Sequence, residues 1–298
     1  EWYYDSVAKR IYVWLPNGTA PSPTDAIEYS SAYYGLEAWE QDNITVNDLD
    51  FRYQQIAGIR LTRSDNIIIE RNDFYGCRHG IKGSGTDSWN NAGVEIRCQN
   101  VQIKNNTAQY TIRTGIYYTN LEASTISNNL LNNIGIYNGV GQTGSSDLGY
   151  YDFGIGIATS GQNYTISTNR IKNSGRAAIT PSGNLVSIKN NVTDNTCLNY
   201  NDCGAIYAGG PDLTGIATYE NNIIRNSYGY FSYKDIGSKG ARGIYPDFNN
   251  NEIIKNNTII NTVIGIGLTN SKNTKVTGNT IYNSSLYELY MNRKGNPG

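Results

Sequence analysis

The sequence predicts an all-β chain: a single-stranded right-handed parallel β-helix of about nine coils, roughly 22 residues each, with loop insertions on one edge. Two recurring motifs and one missing pattern carry that expectation. The first motif is an apolar residue, two spacers and Asn. It reads Ile69-Glu-Arg-Asn72, Ile103-Lys-Asn-Asn106, Ile126-Ser-Asn-Asn129, Ile166-Ser-Thr-Asn169, Ile188-Lys-Asn-Asn191, Ile254-Lys-Asn-Asn257 and Val276-Thr-Gly-Asn279, with Asn47 (after Ile44) and Asn222 (after Tyr219) completing the column. Successive asparagines are 22 to 40 residues apart, and three of the steps are 22 or 23, which sets the uninterrupted coil. The second motif is Gly-Ile or a close variant, at Gly58-Ile59, Gly93-Val94, Gly115-Ile116, Gly154-Ile155, Ala178-Ile179, Ala205-Ile206, Gly243-Ile244 and Gly265-Ile266. Apolar residues alternate with others there, as in Ile59-Arg60-Leu61, which is the period of a strand. The missing pattern is a sustained helical stripe, so a leucine-rich repeat with its helical arc is excluded.

A single coil cannot bury its own apolar residues. Stacking at about 4.8 Å per coil places Ile69, Ile103, Ile126, Ile166, Ile188 and Ile254 in one interior column. The recurrent Asn, at a bend, is expected to take left-handed backbone angles and to bond its counterparts above and below. The same ladder accounts for Asn-x-Ser/Thr matches such as Asn105, Asn163 and Asn191, which are read as bend residues rather than glycosylation sites.

Residues 1–40 lie outside the repeat. They are rich in aromatics and hold a Pro16-Asn17-Gly18 turn, so a short hairpin and edge strands leading into the coils of 41–298 are expected. No linker-like stretch divides the chain, which is read as one domain. At the far end, Leu286 and Leu289 would leave a sticky strand edge, and a following segment is expected there.

Charged residues make up 16% of the chain and the net charge is −1, so solubility rests on uncharged polar groups and nothing draws the chain to nucleic acid. No apolar run approaches the roughly 18 residues of a membrane span. The chain opens at Glu1 and is read as a mature or trimmed product. Cys77 and Cys98 are about one coil apart and Cys197 and Cys203 bracket a short loop, so two disulfides and an oxidising compartment are expected. Neither pair has zinc-site spacing.

The distance from a ladder Asn to the next Gly-Ile segment ranges from 8 to 25 residues, whereas the return distance is 13 to 17. The insertions are therefore assigned to one edge, just before the Gly-Ile strand, where stacked loops would wall a cleft. Arg60, Glu95, Tyr117, Gly156, Thr180, Tyr207, Tyr245, Gly267 and Glu288 are expected to face out from that sheet. Tyr117, Tyr207 and Tyr245 would offer rings to the C–H faces of sugars, with Glu95, Arg113 and Arg176 as polar partners. Arg113, Asp152 and Arg176 lie three positions before Ile116, Ile155 and Ile179, and Asp202 lies four before Ile206. Asp152 and Asp202, two coils or about 9.6 Å apart, approach the separation of carboxylates in inverting glycosidases, with Arg176 between them as an equally simple salt-bridge ladder. The one histidine, His79, sits beside a turn and is read as structural.

Several segments carry a family resemblance. Trp2-Tyr3-Tyr4-Asp5 with Ile11-Tyr12-Val13-Trp14-Leu15 resembles the N-terminal hairpin of bacterial β-helix proteins of the pectate-lyase-like superfamily. Asp202-Cys-Gly-Ala-Ile-Tyr207, followed by Gly209-Gly-Pro-Asp-Leu-Thr-Gly215, is similar to their Asp-x-Gly-Ala-Ile-Tyr segment. Gly243-Ile-Tyr-Pro-Asp247 is similar to their Gly-Ile-Tyr-Leu-Asp segment, with Pro246 in place of Leu and Phe248 where a second Asp is frequent. Proteins with both segments include glycoside hydrolases that use paired acids. The resemblance implies a secreted or cell-surface glycoside hydrolase acting on a polysaccharide, with Asp202 and Asp247 as the acid pair and Asp152 and Asp212 in reserve. Two other readings stand beside it. A polysaccharide lyase would use Arg113, Tyr117 and Arg176, and a non-catalytic surface module would bind glycan through the tyrosine strip. No cofactor or metal is expected, calcium entering only under the lyase reading. The partner is a polysaccharide or glycan, and the chain is a monomer or part of a larger secreted protein.

Overall fold

A computed structural model describes residues 2–5, 7–8, 10–13, 22, 30–85, 96–137, 153–200, 202–209, 216–229 and 240–292. The chain divides into two units, Glu1–Ser31 and Ala32–Gly298. In the first, Trp2–Asp5 and Arg10–Val13 form an antiparallel hairpin in which Asp5 pairs with Arg10. The Pro16-Asn17-Gly18 turn lies outside the described residues.

The second unit is a parallel β-helix. Its strands pair coil to coil in three sheets, and the first coil begins at Tyr34–Trp39, before residue 41. The ladder sheet stacks Val46, Ile69, Ile103, Ile126, Ile166, Ile188, Tyr219, Ile254 and Val276 in register, nine coils in all among the described residues. Every isoleucine of this column is buried. A third sheet adds Phe51, Phe74, Ala108, Leu131 and Ile171 to the same core, with the Phe51 and Phe74 rings stacked 5.2 Å apart. No helix among the described residues is long and apolar enough to cross a membrane.

The asparagine column runs through the interior, where no water is at hand to satisfy an amide. Asn191 shows the pattern: its Nδ2 donates to the Ile166 and Lys189 carbonyls and to Asn222 Oδ1, and its Oδ1 accepts from the backbone and side-chain nitrogens of Asn169. The same links join Asn72 through Asn106, Asn129 and onward to Asn279. Each buried carboxamide thus serves the open bend of its own coil and of the coil before it. Two expectations change here. Left-handed angles belong to the residue before the ladder position, such as Asn105, Asn128, Asn190 and Asn256, and not to the ladder residue itself. The first-coil member is Leu49, whose N–H donates to Asn72 Oδ1; Asn47 pairs with Glu70 within the strand.

The Gly-Ile sheet also departs from expectation in two coils. Its inward column is Leu36, Ile59, Ile81, Ile116, Ile157, Ile179, Ile206, Ile244, Ile266 and Leu289. Gly80-Ile81 fills the coil assigned to Gly93-Val94, which lies outside the described residues, and Gly156-Ile157 replaces Gly154-Ile155. The insertion between Ser84 and Cys98 therefore follows its Gly-Ile strand, while that between Ile134 and Ile155 precedes one. Insertions flank this sheet on both sides and are not confined to one edge.

Cys197 and Cys203 form the expected disulfide. Cys77 and Cys98 are buried free thiols. The inserted segment uses up the residues between them, so Cys98 falls in register with Leu121, whereas the residue bonded over Cys77 is Ile112, through its N–H.

One buried acid went unnoticed in the sequence. Glu252 has no exposed surface and its Oε1 accepts a 3.0 Å bond from the Tyr219 hydroxyl. Burial pushes its pKa from 4.5 up to about 8, against the pull of the Tyr219 and Asn249 hydrogen bonds.

Two measurements follow. Asn191→Ala strands a neighbour's donors and carbonyls in the core, so its urea midpoint should fall by the equivalent of about 3 kcal/mol or more; a change below about 0.5 kcal/mol would show the ladder to be incidental. Because the folded pKa of Glu252 lies above its unfolded value, its contribution is complete below pH 4.5 and is lost as pH rises through 8. Glu252→Gln should therefore flatten the decline in melting temperature between about pH 4.5 and pH 8, and an unchanged slope across that window would contradict this.

Candidate functional site

The strip that faces out from the Gly-Ile sheet follows from the corrected register. One row reads Glu37, Arg60, Lys82, Tyr117 and Ala158 on consecutive coils. Lys82 takes the place expected of Glu95, which lies outside the described residues, and Ala158 takes that of Gly156. At the far end Gly267 pairs with Tyr290, so Tyr290 occupies the place expected of Glu288.

Along Arg60, Lys82 and Tyr117 the strip opens into a groove of about 430 Å³. Its other walls are Leu61, Thr62, Gly83, Ser84, Thr119, Asn120 and Ser160. Among the described residues its lining holds two cations, one phenol and several hydroxyls, and no carboxylate. Arg60 is fixed by bonds to Glu37 (3.0 Å) and the Tyr34 hydroxyl (2.6 Å). The Lys82 ammonium lies 5.9 Å from the centre of the Tyr117 ring. Thr119 Oγ1 donates to Ser84 Oγ at 2.9 Å, which ties neighbouring coils along one wall. Gly83 leaves the space into which the buried Tyr118 ring fits.

His79 lies under this floor, its ring 6.1 Å from that of Tyr117. Burial first, then the charges of Lys82, Arg113 and Arg78, hold its pKa well below the usual histidine value. It is a neutral imidazole at pH 7, adding no charge to the groove. Sequence reasoning missed Lys82, although a signal was present: Gly80 follows Asn72 by 8 residues, the short spacing that also separates Gly265 from Asn257.

The upper coils are filled by protein. Tyr245 is only 3% exposed, with the Arg242 guanidinium 3.7 Å over its ring and Tyr207 at 5.1 Å. The space at Gly267 is occupied by the Arg242 side chain. Tyr245 therefore offers no open ring, and the continuous tyrosine strip reduces to Tyr117 and the half-buried Tyr207. Ile155, Ala158 and Ala177 form a small apolar patch with the Cys197–Cys203 bridge, against which Tyr200 packs. Arg113 is buried with its guanidinium 3.9 Å over Phe153, and Arg176 lies 5.5 Å from the Tyr200 and Tyr207 rings.

The acidic residues are not gathered in the same way. Asp152 and Asp212 lie outside the described residues. Asp202 is two residues ahead of Gly204, the start of its strand, and its side chain is exposed. Its ion pair, at 3.1 Å, is with the buried Arg242 rather than with Arg176 as expected. Asp247 pairs with Gly209 at the opposite end of the same strand, with its Oδ2 3.5 Å from the Tyr207 hydroxyl. The strand Gly204–Gly209 thus stands between the two aspartates, a run of roughly 16 Å. No loop bends one toward the other among the described residues.

A family model for the right handed beta helix region matches residues 25–153. No curated protein matches the sequence. Among solved structures, the chain is similar to an alginate lyase from Paenibacillus sp. str. FPU-7, with 18% identity and a TM-score of 0.54, over 80% of this chain and 76% of the lyase. It is also similar to the siphovirus 9NA tailspike receptor binding domain (10% identity, TM-score 0.46, over 90% of this chain and 43% of that one). A third likeness is to the periplasmic alginate epimerase AlgG (16% identity, TM-score 0.34, over 88% and 48%). At these identities the likeness is one of fold. With its coil-to-coil parallel pairing, its buried asparagine ladder and the matched repeat region, the chain has the right-handed β-helix fold.

Proposed function

We propose that this chain cleaves an acidic polysaccharide by β-elimination in the Arg60–Lys82–Tyr117 groove. The observation that carries the reading is the groove lining, which presents two cations and a phenol with no carboxylate among its described residues. A uronate carboxylate seated against Arg60 and Lys82 has its charge offset, which acidifies the adjacent C5–H. Tyr117, beside the Lys82 ammonium, is the group positioned to take that proton. The C5–H bond breaks, its electrons form the C4=C5 double bond, and the C4–O bond to the leaving sugar breaks. The leaving oxygen receives the proton that Tyr117, acting as its phenolate, took from C5, so the tyrosine ends as it began and no water is consumed. In this scheme Arg60 and Lys82 neutralise the carboxylate.

The glycoside hydrolase reading has less support. Hydrolysis needs two carboxyl groups flanking one bond, and Asp202 and Asp247 lie at opposite ends of a strand. A non-catalytic glycan-binding module would use the same groove without turnover. That one similar structure is an alginate lyase agrees with the preferred reading, which rests on the groove. The Cys197–Cys203 bridge fits a secreted or surface setting.

The test is incubation with alginate, polygalacturonate and neutral glucans, following ultraviolet absorbance of the new double bond and release of reducing ends. We expect both signals together on an acidic polymer. Lys82→Ala and Tyr117→Phe should each lower kcat/KM by about 10² to 10⁴ while the circular dichroism is unchanged. Reducing ends without the chromophore, abolished by Asp202→Asn or Asp247→Asn, would move the assignment to hydrolysis.

A further inference from the structure

A second surface feature lies away from the groove, on the bend after the third sheet. Four residues beyond each ladder position the backbone turns left-handed. In six coils that place belongs to asparagine: Asn133, Asn173, Asn195, Asn226, Asn261 and Asn283, all with φ between 56° and 59°. Asparagine is suited to these angles, and its amides bond one another from coil to coil, as from Asn173 to Asn133 (2.8 Å) and from Asn195 to Asn173 (2.7 Å).

The first three coils break this rule. The equivalent residues are Tyr53 (φ 60°), Gly76 (φ 65°) and Tyr110 (φ 54°). A bulky aromatic residue is disfavoured in this conformation and gains no amide ladder there, so its retention at two of three positions needs another cause. The rings supply one. Tyr75 packs edge-on to Tyr53 (5.7 Å, 90°) and at a tilt to Tyr110 (5.4 Å, 54°). A Cβ on Gly76 would meet the Tyr53 ring at 2.5 Å, so glycine at that one coil is what lets the ring lie across the bend. Tyr137, from the fourth coil, lies near enough for the Tyr75 and Tyr110 phenols to raise its pKa, after burial. Tyr75 and Tyr137 are 39% and 40% exposed. Gln109 and Asn132 continue the Tyr75 row on the next two coils, placing amides beside the rings.

We propose that Tyr53, Tyr75, Tyr110 and Tyr137 form a non-catalytic platform that holds a polysaccharide chain along the axis of the coils. The platform spans four coils, or roughly 14 Å, enough for a few sugar units whose C–H faces stack on rings while their hydroxyls bond the flanking amides. Its ligand class rests on the carbohydrate reading of the groove, but its residues and its surface are separate from it.

The test uses affinity electrophoresis through gels containing alginate, polygalacturonate or a soluble neutral glucan, with thermal melting on the same proteins. The double variant Tyr53→Asn/Tyr110→Asn installs the residue that the upper coils use. It should keep or raise the melting temperature, weaken retention by about tenfold on the polymer that retards the parent, and leave turnover of short acidic oligosaccharides unchanged. Tyr75→Ala should weaken retention comparably. A lower melting temperature with unchanged retention would make the tyrosines purely structural and overturn the proposal, as would a parent retarded by none of the polymers. The groove is scored separately with Lys82→Ala, which should lose turnover but keep its tyrosine-dependent retention. Retention that depends on the tyrosines in a protein with no turnover at all would sustain the platform while ending the lyase reading.

Discussion

The structure depends on one requirement: every coil must lie in register on the last, because the buried asparagines bond one another through that contact alone. A carboxamide such as Asn191 or Asn222 sits at the core boundary with no exposed surface, and its polar atoms are satisfied only if the next coil delivers its own Asn to the same height. A slip of one residue would reverse the facing of the strand and leave these groups unpaired in an apolar interior. The apolar columns gain burial from stacking, but they would tolerate small shifts that the amides would not. Insertions are consequently confined to places outside the ladder bend, and they can be long without disturbing it. The acid at Glu252 is kept within this interior, and burial between coils holds it protonated against the pull of its Tyr219 hydrogen bond.

Register also makes the groove. Arg60, Lys82 and Tyr117 are far apart in the chain, separated by 22 and 35 residues, yet they occupy the same place on three successive coils. Any chemistry on such a surface arises from rows, and a row is read across coils, not along a motif. The two ends of a strand, by contrast, stay apart however suggestive the local sequence. That is why Asp202 and Asp247, each beside an Ile-Tyr pair, are not brought together, while two cations and a phenol are. The same rule governs the tyrosines of the bend after the third sheet, where tyrosine replaces asparagine at one register position on the first and third coils.

The core was legible because it is periodic. The Ile69 to Ile254 column, its coil length and the asparagine ladder repeat often enough to outweigh the insertions. The Gly-Ile sheet was less so, since two dipeptides competed in the same coil: Gly93-Val94 resembles the motif as well as Gly80-Ile81 does, and only spacing from Asn72 separates them. Choosing the wrong one displaced Lys82 from view, put Glu95 in its place, and paired Cys77 with Cys98 across a segment that is not one coil. Tyr245 was misjudged for a different reason. Its outward direction is what the alternation predicts, but the cover by Arg242 comes from a side chain whose reach no periodicity records. The left-handed asparagines were placed one residue late, since two adjacent asparagines share the bend and only hydrogen-bond geometry distinguishes their work.

Register across Arg60, Lys82 and Tyr117 makes the proposed site for an acidic sugar. The most direct measurement is a crystal structure of the Tyr117→Phe protein with a bound uronate oligosaccharide. A carboxylate is expected within hydrogen-bonding distance of both the Arg60 guanidinium and the Lys82 ammonium, with C5 facing residue 117. An oligosaccharide bound instead between Asp202 and Asp247, with the Arg60–Lys82 groove empty, would contradict it.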